Sequence, residues 1–314
     1  MRFCSKSFLC VLLMLYAISA SVIARTVSLA DYARAGQPLK IYTVPQKFDA
    51  SGIPLLKSDQ INNFKEGDHV LPLSDKKLTD LKGISTLKVE FGGKIVPIIT
   101  VPRLQLFFNK NDLHDIPAEI GRLENVIFIY FKENKLTHIP PAIAGMKSLQ
   151  GMYFTDNKIT EIPPEVFTLA GLRKLEIAGN QLSVLPREVG NLTKLIHFRL
   201  DKNKLTSLPD SISNLKELRV VDFSDNDLAE IPQAFAEVSI RYELRLRGNK
   251  KLRTLPYGKG FASMTAAIDI KDTGIDPASL PPEIRARTEA TRPPGAYAKA
   301  LAERGETKKT ARDK

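Results

Sequence analysis

The chain has 314 residues, 43% of them hydrophobic, which suits one domain with flanking segments. Its two cysteines, Cys4 and Cys10, fall within the first ten residues, so a chain cleaved beyond them has no disulfide, no cysteine nucleophile and no thiolate metal site. The net charge of +11 is spread along the sequence rather than gathered in one run, which argues against nucleic acid as a partner.

The first 24 residues read as a secretory signal. Arg2 and Lys6 give a positive start, Phe8 to Tyr16 is apolar, and small residues follow, with cleavage expected after Ala24 or Ala20. The apolar run is shorter than the roughly 20 residues a spanning helix needs, so no membrane span is expected after cleavage; retention as an anchor is the alternative. The expected location is secreted or periplasmic.

Residues 25–102 read as an N-terminal cap. Ser28-x-x-Asp31 has the form of a helix start, with an end near Gly36. Leu71 to Leu81 mimics the repeat that follows, with Lys76 where an asparagine belongs. Thr86 to Phe91, Gly92-Gly93 and Lys94 to Val101 predict a hairpin with a two-residue turn, its second strand confined to an edge by Pro97.

From residue 103 the sequence becomes periodic. Asn111, Asn134, Asn157, Asn180, Asn203, Asn226 and Asn249 stand at a constant step of 23 residues, which marks a stack of like units. Each sits in one frame, as in Leu172-x-x-Leu175-x-Ile177-x-x-Asn180-x-Leu182. Alternation along a strand turns Met152 and Phe154 to the core and Tyr153 outward. The asparagine has a structural role. Its amide both donates and accepts, so it satisfies backbone groups where the chain leaves the strand. Ile139-Pro140, Ile162-Pro163, Leu185-Pro186, Leu208-Pro209 and Ile231-Pro232 follow, each suited to the start of a helical turn. Apolar residues three apart, as at Val189 and Leu192, then predict a short helix or 3₁₀ segment. Thr273 lies 24 residues after Asn249, and with Ile268, Ile270 and Ile275 predicts a closing repeat, so the repeat domain is expected over 103–284. Residues 285–314, with Pro293-Pro294-Gly295 and a charged end, predict a basic disordered tail with a short helix over 296–304.

The frame L-x-x-L-x-L-x-x-N-x-L resembles the leucine-rich repeat family, over roughly residues 70 to 281 and most closely over 103 to 256. The Ile-Pro motif and the 23-residue period are similar to the Ras-suppressor and plant Ras-group type, which also occurs in bacteria. The resemblance implies an α/β solenoid, a horseshoe with a concave parallel β-sheet and short helix or 3₁₀ segments on the convex side. It also implies a non-enzymatic protein without cofactor that binds another protein on its concave face. A glycan ligand, or a purely structural role at a surface or envelope, is the alternative. Animal extracellular members usually close their ends with disulfides, so a cysteine-free exported chain points to a bacterial source.

The central row of the concave face is the residue four before each ladder position. It begins Phe107, Tyr130, Tyr153, with Phe128 one row over, an aromatic cluster that reads as an exposed binding patch. The bland alternative is that the rings stack on one another and stabilise the sheet. The row continues Glu176, Arg199, Asp222, Arg245, Asp269, an alternation of sign that reads as an ionic ladder. Arg199 and Arg245 are its expected anchors for a ligand, flanked by His197, Asp201, Glu243 and Arg247. No catalytic or metal site is expected. The four histidines are His69, His114, His138 and His197; His114 and His138 have no cysteine or clustered carboxylate partner at metal-ligand spacing. His197 with Asp222 and Ser224 has no nucleophile elbow or oxyanion loop, and no phosphate-binding glycine loop is present. Asn191-Leu192-Thr193 is a glycosylation sequon only in a eukaryotic source.

Overall fold

The computed structural model describes residues 27–34, 39–43 and 68–289. The signal sequence, Gly36 and the tail from 290 onward, with its expected helix, lie outside the described residues.

The strands are β1 (Val27–Ser28), β2 (Leu39–Lys40), β3 (Tyr42–Thr43), β4 (His69–Pro72), β5 (Leu78–Asp80), β6 (Lys88–Phe91), β7 (Lys94–Pro97), β8 (Leu104–Phe107), β9 (Val126–Tyr130), β10 (Gly151–Tyr153), β11 (Lys174–Glu176), β12 (His197–Arg199), β13 (Val220–Asp222), β14 (Glu243–Arg245) and β15 (Ala267–Asp269). Among the described residues one sheet of ten strands runs in the order β15 to β8, then β4 and β3. From β4 to β15 every neighbouring pair is parallel; only β3 runs antiparallel, beside β4. Each turn of chain therefore adds one strand, as a solenoid requires. The returning side consists of 3₁₀ segments, five of them opening directly after Pro140, Pro163, Pro186, Pro209 and Pro232. These prolines, with φ between −60° and −77°, are preset for a helical turn.

The asparagine ladder explains the stacking. Asn157 accepts from Leu136 N at 3.0 Å and donates to Phe131 O at 2.8 Å and Phe154 O at 3.1 Å, joining its own turn to the one before. The other six repeat the pattern. The residue before each ladder asparagine is left-handed, from Lys110 (φ 57°) to Gly248 (φ 79°). That turn swings the amide inward. The core between sheet and 3₁₀ segments is a stack of like side chains, with Phe108, Phe131 and Phe154 about one strand apart at centroid distances of 5.1 and 5.2 Å.

At the C-terminal end Thr273 occupies the ladder position but bonds only within its own turn, to Ile270 O and Ile275 N. Its side chain is too short to reach the preceding turn, and Gly274 N to Leu252 O at 2.9 Å makes that link instead. Helices α2 (Lys259–Ser263) and α3 (Pro282–Glu289) accompany this last turn.

The front end agrees with the sequence in outline and departs from it in detail. Ser28 Oγ accepts from Asp31 N at 3.0 Å and caps α1 (Leu29–Arg34). The hairpin is β6–β7, with Gly92 and Gly93 both left-handed as a two-residue turn requires, and β7 is an edge strand. Its second strand ends at Pro97 rather than Val101, because Ile98–Thr100 turns into a 3₁₀ segment; its first starts at Lys88 because Ile84–Thr86 is another. The missing asparagine at Lys76 is made good from the next turn: Asn111 Oδ1 accepts from both Lys76 N and Leu78 N at 3.0 Å.

Candidate functional site

The concave face carries the row that starts Phe107, Tyr130, Tyr153. Register places these three side by side, with Phe107 opposite Tyr130 and Tyr130 opposite Tyr153. Their rings stack almost parallel, at 4.2 Å and 11°, then 4.6 Å and 9°. Phe128 lies beside the stack, 6.4 Å from Tyr130 and 6.5 Å from Tyr153. The expectation of an open aromatic patch is corrected here: the four residues retain only 2 to 9% exposure. With Val70 and Ile127 they form a second apolar cluster, separate from the main core. Stacking at the strand spacing covers each ring's faces with its neighbours, in line with the bland alternative.

Beside this cluster lies a buried polar network that sequence reasoning missed. Asp68 is fully buried; it accepts from Arg103 Nε at 2.9 Å and from Gln105 Nε2 at 2.8 Å. Gln105 in turn accepts from Tyr130 OH at 3.3 Å. The cap and the aromatic row are thereby joined. No sequence signal reveals it, since Asp68 precedes the periodic region and Arg103 is 35 residues away.

The second half of the row is an ionic ladder. Arg199 lies 3.6 Å from Glu176, 3.3 Å from Asp201 and 3.9 Å from Asp222. Arg245 meets Asp222 at 3.1 Å and grips Glu243 with two bonds of 2.8 Å. Asp269 stays outside the ladder and accepts from Lys271 N, while Arg247 pairs with Asp272 at 3.4 Å. Burial raises the Glu176 carboxyl above its ordinary range, against the pull of Arg199 and Lys174. Burial, then Asp222, raise Asp201 in the same way, opposed by Arg199. Burial works against the Arg199 charge, but Glu176, Asp201 and Asp222 together hold its pKa above the usual guanidinium value. Arg245 is raised likewise: burial opposes, while Glu243 and Asp222 prevail. Burial lowers Lys174. His197 is driven down to about 3 by burial, then by Lys174, Arg219 and Arg199, so it is neutral at physiological pH.

The arrangement offers little to catalysis. Asp222, the acid of any His197–Asp222–Ser224 set, is engaged by Arg245, by Arg199 and by the backbone N–H of Ser224 at 3.1 Å. His138 pairs with Asp115 on the surface, at 3.0 Å. Among the described residues no three of His, Cys, Asp or Glu are grouped so as to hold a metal ion. Nor, among them, is any helix long and apolar enough to cross a membrane.

A parallel sheet that gains one strand per turn, closed by an asparagine ladder and backed by 3₁₀ segments, defines a repeat solenoid. The family model for leucine rich repeats matches residues 147–205 and 170–228. The chain is a leucine-rich repeat protein. No curated protein matches it. Solved structures similar to it include an internalin (inlF) from Listeria monocytogenes, at 21% identity over 66% of this chain and 56% of that one, with a TM-score of 0.46. A plant peptide hormone receptor, RGFR1, in complex with RGF2, matches at 27% identity over 57% and 34%, TM-score 0.46. The ectodomain of the receptor kinase GASSHO1/SCHENGEN3 from Arabidopsis thaliana, in complex with CASPARIAN STRIP INTEGRITY FACTOR 2, matches at 22% identity over 74% and 31%, TM-score 0.47. The chain thus spans about half the length of that internalin and a third of the two receptors.

Proposed function

We propose that the protein is an exported, non-enzymatic leucine-rich repeat protein whose concave sheet binds another protein, with Arg199 and Arg245 as anchors. The observation that carries this reading is their state after pairing. Their side chains keep 35% and 26% exposure; Arg245 is held by hydrogen bonds to Glu243 and Asp222, and Arg199 sits among Glu176, Asp201 and Asp222 at 3.3 to 3.9 Å. They stand two strands apart, about 10 Å. Guanidiniums fixed in this way lose little side-chain freedom on binding, and Arg is enriched among residues that dominate interfaces. In this reading Phe107, Phe128, Tyr130 and Tyr153 stiffen the sheet beside the contact and do not themselves meet the partner. Export rests on the signal-like segment ending near Ala24 or Ala20.

The test is site-specific photo-crosslinking in extracts of the native host. A crosslinker at Arg247, where the concave face meets its trailing rim, with 48% side-chain exposure, is compared with one at Arg187, on the convex side with 87%. A discrete protein adduct is expected from position 247 alone, and it should disappear in R199Q/R245Q while the melting temperature shows a folded protein. The same adduct from both positions, or one that survives R199Q/R245Q, would overturn the reading.

A further inference from the structure

The charge of the repeats is divided unevenly between the two rims of the sheet. Just before strands β10 to β14, the five-residue stretches 146–150, 169–173, 192–196, 215–219 and 238–242 hold six cations and one carboxylate, Glu217. The cations are Lys147, Arg173, Lys194, Lys216, Arg219 and Arg241. On the opposite rim the stretches 155–159, 178–182, 201–205, 224–228 and 247–251 also hold six cations, but with four aspartates among them. The leading rim is therefore a cationic stripe, and the trailing rim is nearer to neutral.

The stripe is built into the fold. Arg173 N donates to Gln150 O, Ile196 N to Arg173 O, Arg219 N to Ile196 O and Tyr242 N to Arg219 O, all at 2.8 to 2.9 Å. The ladder thus extends one residue ahead of the strands and fixes the backbone of the stripe. Arg173 and Arg219 lie two strands apart, about 10 Å, with the Lys194 turn between them. Arg219 is half-buried and the other five are exposed. The ion pairs among the described residues involve none of the six. On the concave face next to them, by contrast, Arg199 and Arg245 are paired with carboxylates.

We infer that this leading rim is a second interaction surface, distinct from the concave anchors, and that it takes an acidic polypeptide segment. Uncompensated guanidiniums at fixed spacing suit carboxylates, which they grip with two bonds. The choice of a polypeptide over a nucleic acid or a sulfated glycan comes from the neighbours of the stripe. Glu176, Asp222 and Glu243 stand on the same strands within a few residues of it. A backbone charged at every unit would lie against these carboxylates as well. A polypeptide can place acids over the rim and neutral residues over the sheet. In a polyproline-II segment, with three residues per turn and a rise of about 3.1 Å, acids at every third residue recur on one side about every 9 Å, near the spacing of Arg173 and Arg219.

The experiment measures fluorescence anisotropy of the full chain with a labelled peptide of four Asp-Ser-Gly repeats. A heparin fragment and a dT12 oligonucleotide serve as comparison probes. The peptide should bind and weaken at least tenfold between about 50 and 300 mM salt, in the direction set by counterion screening. R173Q/R219Q/R241Q should weaken it at least tenfold, and K158Q/K202Q/K204Q on the trailing rim by less than twofold. K194Q/K216Q, at exposed positions, reads the same surface if the triple variant fails to fold. Absence of peptide binding, equal loss on both rims, or tighter binding of heparin or dT12 at the leading rim would overturn the inference. R199Q/R245Q should leave this binding intact, which separates the outcome from that of the concave anchors.

Discussion

The ring of Phe128 occupies the space into which a side chain at Gly151 would project. A Cβ at residue 151 would come within 2.4 Å of Phe128 Cδ1 and 3.2 Å of Tyr153 Cε2. The two residues face each other across β9 and β10, so the absence of a side chain on one strand allows the large ring on the other. Gly151→Ala should therefore push Phe128 off the aromatic stack. The expected cost is about 1–3 kcal/mol, the range for overpacking, read as a lower melting temperature. It should be accompanied by a change in the near-ultraviolet signal of Tyr130 and Tyr153. An unchanged melt and spectrum would show that the stack does not depend on this gap.

The ladder asparagines make a local prediction as well as a global one. Asn180 Oδ1 accepts from Ile159 N at 2.9 Å, and its amide donates to Phe154 O at 2.9 Å. Asn180→Ala leaves the buried Ile159 N–H without its acceptor, while Phe154 O keeps Asn157 and Ile177 O keeps Asn203, at a cost of about 1–3 kcal/mol. In a solenoid such damage stays near its origin, since each turn touches only its neighbours. Hydrogen exchange should therefore accelerate first at Ile159, and far less at Leu113, whose N–H is held by Asn134 at 3.2 Å. Uniform acceleration along the chain would refute the one-dimensional picture.

These two residues also mark how far the sequence can be read. Asn180 belongs to a period, and a period states a fold because every unit repeats the same local physics. The strand alternation of Met152, Tyr153 and Phe154, the prolines that open the 3₁₀ segments and the glycine turn at 92–93 were legible for that reason. The period aligns Phe107, Tyr130 and Tyr153 in one row, and the strand register pairs them so, but their burial was not legible. Exposure on a sheet face depends on how neighbouring rings pack, and for Phe128 the room is left by Gly151. Asp68 and Arg103 were invisible for a related cause: their contact joins the cap to the first regular turn, and no repeat copies it. The cationic rim was present in the sequence all along, but its charges count as a stripe only once the stacked turns bring them together.

Asp222 is the hub of the ionic ladder, with Arg245 at 3.1 Å and Arg199 at 3.9 Å. Its side chain is only 5% exposed, which sets it apart from surface pairs that contribute little. Asp222→Asn should cost about 1.5–3 kcal/mol, the scale of a hydrogen bond to a charged group. Each arginine keeps other acidic partners, Glu243 for one and Glu176 and Asp201 for the other, so the loss should not exceed that range. The same change removes a charge that raises the Asp201 pKa. Carboxyl titration by NMR should therefore show Asp201 moving down. A shift upward would mean that the loss of order around Arg199 outweighs the loss of repulsion.

His197 gives the ladder a pH signature of definite sign. In the folded protein its pKa lies at about 3, against an ordinary value of 6.5, because burial and the cations Lys174, Arg219 and Arg199 oppose a second positive charge. Between those two values the unfolded chain binds a proton at this site that the folded chain does not. Stability contributed by neutral His197 is thus fully present above about pH 6.5 and is lost as the pH falls towards 3, with a slope of up to about 1.4 kcal/mol per pH unit. Glu176 and Asp201 act in the opposite sense. Their raised pKa values mean that the folded state holds protons the unfolded state has released, so above the ordinary carboxylate range stability falls as pH rises through their folded pKa values. The wild-type profile is the sum of the two trends, and the difference from His197→Gln isolates the first. Urea midpoints measured from pH 7 to 4 should fall more steeply for wild type than for His197→Gln. Parallel profiles would show that the imidazole titrates normally and that the cations around it are better screened than their positions indicate.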